Sequence, residues 1–99
     1  MADYLYLIHP FREGFFENPT QAETAAMDAH YQYLQTATRA GRVVLAGPCL
    51  DQTFGLVVFH AENEAEAGAF MLDDPSVQRN VMMAELHPFE ISLKVDACG

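Results

Sequence analysis

Positive charge is scarce in this chain: Lys and Arg together number 5 against 14 Asp and Glu, for a formal net charge of −9. Affinity for nucleic acid and anionic lipid comes largely from cationic side chains on phosphate, so both partners are disfavoured. Cysteine is scarcer still. Cys49 and Cys98 form no C-x-x-C pair and carry no regular spacing, which reads as two free thiols in a reducing compartment rather than a disulfide framework. No apolar run approaches the roughly 18 residues a membrane span requires. The opening MADYLYLIHP has no positive region ahead of its short apolar stretch. The expectation is a soluble cytoplasmic protein.

Hydrocarbon, by contrast, is plentiful. With 51% hydrophobic and 19% charged residues over 99 positions, the chain can build one core, and residues 1–99 are read as a single domain. Tyr4 to Ile8 is rich in strand formers, and the HPFREGFFENP that follows reads as a loop. Thr20 and Glu23 have capping-box spacing, so a long helix is predicted from about Gln21 to Ala40, ended by a left-handed Gly41. Arg42 to Gly47 and Thr53 to Ala61 read as strands. Asn63 and Glu66 cap a shorter helix through Leu72, which Asp74-Pro75 stops. PSVQRNVMMAEL is assigned one helical turn, and His87 to Val95 alternates as a final strand.

The order β-α-β-β-α-β predicts an α+β, ferredoxin-like fold with a four-stranded antiparallel sheet and both helices on one face. Tyr4, Tyr6 and Ile8 point one way and Leu5 and Leu7 the other. Val43/Leu45 against Val44/Ala46, and Leu56/Val58 against Val57/Phe59, divide likewise. Two helices cover only one face, so a second copy is expected on the other, making a homodimeric α+β barrel.

One polar group sits where the first helix buries hydrocarbon. His30 shares its stripe with Met27, Leu34 and Ala37. A core histidine with a backbone or tyrosine partner is one account, and Asp74 ahead of Pro75 reads as a helix cap. In the other account the two meet. A carboxylate on one ring nitrogen fixes the tautomer and leaves the other nitrogen free to exchange protons near neutral pH. Arg12, just after the first strand, is a candidate clamp for an anionic or phenolate group, or simply a solvated loop arginine. Cys49 follows Gly47-Pro48 with no nearby base to activate it. Asp73 reads as exposed, and His9, His60 and His87 have no metal-site spacing, so no metal is expected.

The runs AHYQYLQTATRAGRVVLAGPCLD, GLVVFHAENEAEAGAFMLDDPSVQRNVM and ELHPFEISL resemble the YCII-related domain family over almost the whole chain. His30, Gly47-Pro48, Asp74-Pro75 and Pro88-Phe89 match its recurring elements in order. The resemblance implies a ferredoxin-like dimer with a cleft holding a His-Asp pair, carried here by His30 and Asp74. A few relatives eliminate chloride from chlorinated hydroxyhydroquinones, and most have no assigned reaction. The loop HPFREGFFENPTQ departs from the family pattern, so the substrate does not transfer.

The reading is therefore a cofactor-free lyase or isomerase acting on a hydroxylated aromatic or related carbonyl compound. His30 is its acid/base, Asp74 its orienter, and Arg12, Gly47 and Pro48 are substrate contacts. Gly47, beside the cleft, is expected to tolerate no side chain. The alternative is a binding module in which the same cleft holds a small molecule without turnover.

Overall fold

The computed structural model describes residues 1–95; Cys98 lies outside them. The elements are β1 (Ala2–Pro10), α1 (Gln21–Arg39), β2 (Val43–Pro48), β3 (Gly55–Ala61), α2 (Glu64–Leu72), a single-turn α3 (Pro75–Gln78) and β4 (Met82–Phe89). All sheet pairings are antiparallel, in the order β2-β3-β1-β4. This is the predicted ferredoxin-like α+β arrangement. No helix among the described residues is long and apolar enough to cross a membrane.

Local chemistry sets the helix ends. The Thr20 hydroxyl accepts from the Glu23 backbone N–H at 3.1 Å, and the Glu23 carboxylate accepts from the Thr20 N–H at 2.9 Å. Such a cap contributes about 1 kcal/mol. Gly41, at φ 80°, turns the chain out of α1. The Asn63 side chain accepts from the Glu66 N–H at 2.8 Å and starts α2.

The core lies between the helices and one face of the sheet. Tyr4, Tyr6 and Ile8 are buried, together with Val57 and Phe59 of β3, Ala26 and Leu34 of α1, and Ala67 and Phe70 of α2. Phe70 packs its ring 4.8 Å from Phe59, and Tyr6 meets Phe59 edge-on at 5.6 Å. The Tyr33 hydroxyl donates to the Phe70 carbonyl at 2.7 Å, tying α1 to α2. These aromatic contacts hold α2, and with it the turn carrying Asp74, against the sheet.

Three expectations are corrected. The last strand runs over Met82–Phe89, not His87 to Val95. The β1–β4 ladder ends where Asp3 pairs with Phe89, one residue from the start of β1. The Ile91 N–H instead donates to the Asp3 carboxylate at 3.1 Å, leaving Leu93 and Val95 exposed (95% and 86%) despite their alternation. Pro88 is accommodated because β4 is an edge strand.

In β2, Val43 and Leu45 do not share a face. A register shift between them sets Val43 opposite Phe59 and Leu45 opposite Val58, and those β3 residues point to opposite sides of the sheet.

Gly47 has open space where a side chain would begin, whereas a Cβ on Gly55 would lie 3.0 Å from Ile8 Cγ1. The demanding glycine is therefore Gly55. Gly55→Ala is expected to cost about 1–2 kcal/mol through displacement of Ile8, and Gly47→Ala to leave the melting temperature unchanged. Thermal melts of both variants check the pair.

Candidate active site

The site grows from the junction between α2 and α3. Asp74, in extended conformation (φ −60°, ψ 123°), caps α3 by accepting from the Ser76 N–H at 2.9 Å, with Pro75 in the first turn. The same carboxylate is fully buried and accepts three more hydrogen bonds. Tyr6 Oη donates to Oδ2 at 2.7 Å, and Ser76 Oγ donates to Oδ1 at 2.8 Å. His30 Nδ1 lies 2.8 Å from both oxygens. Capping α3 and facing His30, alternatives in the sequence, coexist on one side chain because a carboxylate has about four acceptor positions.

A carboxylate accepts only, so Nδ1 carries the proton toward Asp74 and the neutral ring keeps Nε2 as a lone-pair acceptor. Burial pushes the Asp74 carboxyl up, but the hydrogen bond and charge of His30, with bonds from Tyr6 and Ser76, together hold it below the usual value of 3.8. Burial, and then the Asp74 charge, push the Tyr6 hydroxyl far above the ordinary phenol value, so it remains a donor.

His30 lies on the wall of an apolar cavity of about 720 Å³, a size suited to a small organic ligand. Phe15, Phe16, Met27 and Tyr31 line it, and Gly47, Pro48 and Cys49 approach from the end of β2. Gln52, at φ 68°, and Phe54 line it from the turn before β3.

Arg12 does not line the cavity. Its Nε and Nη2 donate to the two Glu23 oxygens at 2.9 and 2.7 Å, and its remaining bonds go to the carbonyls of Glu13 and Asn18. Hydrogen bonds from Arg12 and from the Thr20 backbone hold the Glu23 carboxyl down at about 2. The arginine thus clamps the loop bearing Phe15 and Phe16 onto the start of α1.

The model of the YCII-related domain matches residues 4–90. The chain belongs to the YCII-related domain family. No curated protein matches it. Among solved structures it is similar to 5-chloro-2-hydroxyhydroquinone dehydrochlorinase from Burkholderia phenoliruptrix AC1100, in complex with 2,5-dihydroxybenzoquinone. The two are 18% identical, with 88% of this chain and 93% of that chain covered and a TM-score of 0.66. At that identity the likeness establishes a shared fold.

In this YCII-related domain, Tyr6 and Ser76 join the His30–Asp74 contact without having been singled out by sequence. Tyr6 carried a usable signal, since a tyrosine at an inward strand position must find a partner for its hydroxyl. Elsewhere, His60 Nδ1 lies 2.7 Å from Asp3 Oδ1 and His87 Nε2 lies 3.3 Å from Glu85. Among the described residues, no three His, Cys, Asp or Glu side chains gather to hold a metal ion.

Proposed function

We propose that this YCII-related domain is a cytoplasmic, cofactor-free lyase or isomerase of hydroxylated aromatic compounds, with His30 as general acid/base and Asp74 as its positioning residue. The observation that carries the reading is a histidine on an apolar cavity wall whose Nδ1 is engaged by a buried, hydrogen-bonded carboxylate. Its Nε2 is the ring atom left to meet a ligand.

On a chlorinated hydroxyhydroquinone, Nε2 takes a hydroxyl proton and returns one to the chlorine-bearing ring carbon, giving the keto form. Loss of a second hydroxyl proton lets its electron pair form another carbonyl as chloride leaves, so the net change is loss of HCl. Isomerisation and elimination thus share one proton carrier. Support for this substrate class comes from the structural neighbour, named as a dehydrochlorinase of such a compound.

The test is ultraviolet-visible monitoring of wild type and His30→Gln with 5-chloro-2-hydroxyhydroquinone. Quinone absorbance is expected to grow above the uncatalysed rate only with wild type. Equal rates with both proteins would overturn the assignment, and binding by both with conversion by neither would make the cavity a binding module.

The reading includes a homodimer through the sheet face opposite the helices. Leu5, Leu7, Leu56 and Val58 share that face, with Leu45 half exposed beside them. Light scattering is expected to give twice the 11.0 kDa chain mass, and Leu7→Glu to return the monomer. A monomeric wild type at micromolar concentration would sink the dimer.

A further inference from the structure

The cavity wall has a charge pattern opposite to that of the chain. Among the described residues no acidic side chain lines it, although the chain has 14, whereas Arg39, one of only 5 basic residues, does. Arg12 is paired with Glu23 and Arg42 lies 3.5 Å from Glu66, but among the described residues no carboxylate is within ion-pair distance of Arg39. Its place in the last turn of α1 complements the helix dipole. That role accounts for a cation at this helix end, but not for a neighbouring wall free of carboxylates in so acidic a protein.

We propose that Arg39 is a specificity residue that binds the acid group of an elongated aromatic acid whose hydroxylated ring lies against His30. The inference rests on the reading of this cavity as a small-molecule site. His30 and Arg39 both lie on α1, nine residues apart, which is about 13 Å of helix rise. Nine residues are about two and a half turns, so the two side chains leave α1 on opposite flanks while both border the cavity, and the lean of helical side chains toward the N-terminus shortens the span that Arg39 leaves to His30. The ligand that satisfies both ends therefore carries its acid about 10 Å from its ring hydroxyl, farther than a single ring extends. Leu34 and Phe54 offer hydrocarbon contact on the cavity wall, while Gln35 and Thr38 supply neutral hydrogen-bonding groups on the same helix as His30 and Arg39. A ligand anion here meets a guanidinium without competing carboxylates, and its body displaces water from apolar wall.

Calorimetric titration of the full chain with para-hydroxyphenylbutanoate and with its carboxamide tests the assignment. Wild type is expected to bind the acid about fivefold or more tightly than the amide. That preference should disappear in Arg39→Gln, persist in part in Arg39→Lys, and narrow at high salt. Arg39 is exposed, so both variants should fold. Equal binding of acid and amide by wild type would overturn the role of Arg39 while leaving the cavity as an aromatic site. An acid preference retained in Arg39→Gln would overturn it too. Absence of binding by either probe would overturn both this inference and the small-molecule reading beneath it.

Discussion

Asp74→Ala is expected to lower stability by about 3–5 kcal/mol, the usual cost of breaking a buried, hydrogen-bonded charge. The substitution removes the acceptor for Tyr6 Oη, Ser76 N and Oγ, and His30 Nδ1 in one step. Tyr6 and Ser76 are themselves fully buried, so water does not readily replace the lost partner. For a domain of this size the loss corresponds to a fall in melting temperature of roughly 12–25 °C. Asp74→Asn keeps an oxygen for Ser76 and should cost about 1–2 kcal/mol.

The pH dependence has a definite sign. Because the folded Asp74 pKa lies below its usual 3.8, its charge-linked stabilisation is present above that value and is lost as pH falls through the folded pKa. The gap between wild type and Asp74→Asn should therefore hold steady above about pH 5 and narrow below about pH 4. Denaturant melts across that range measure it, and a gap that widens in acid would refute the depressed carboxylate.

His30→Gln is expected to lower kcat on a converted quinol by about 10²–10⁴-fold, the usual contribution of a positioned acid/base, with little change in KM. The side chain lies at the cavity edge of the buried network, so the loss should appear in the chemical step more than in folding. Asp74→Asn provides the sharper discrimination. Its amide N–H can face Nδ1 as a donor, which makes Nδ1 the acceptor and moves the ring proton to Nε2. A wrong-tautomer histidine should cost about 10²-fold in kcat. Ring ¹⁵N shifts of His30 would show the proton leaving Nδ1. If kcat falls while the tautomer stays, Asp74 acts by another route. If the tautomer moves with kcat unchanged, His30 is not the proton carrier.

Features decided within three or four residues were legible in the chain. The Thr20–Glu23 box, the Asn63 cap, Gly41 and the turn at Asp74-Pro75 each depend on a neighbour one helical turn away or less. The alternation of Tyr4, Tyr6 and Ile8 likewise marks the buried face of β1 whatever packs upon it. Register could not be read in this way. The alternation from Phe89 to Val95 has the pattern of a strand, but a strand also needs partner backbone, and the pairing with β1 stops at Asp3–Phe89, one residue from the start of β1.

The site divides along the same line. The placement of His30 on an apolar stripe singled it out, and Asp74 stood out beside Pro75. Whether that carboxylate capped a helix or faced the imidazole depended on packing between residues 44 positions apart, and the fold brings both donors to it. Tyr6 reaches it from 68 positions away. Proximity to the first strand made Arg12 the candidate for an anionic ligand, but Glu23 and the loop carbonyls engage it, and Arg39 is the arginine on the cavity wall. Local hydrogen bonds follow from neighbours in the chain. The partners of a charged or titratable group follow from which helix, strand edge and loop tertiary packing brings within about 3 Å of it.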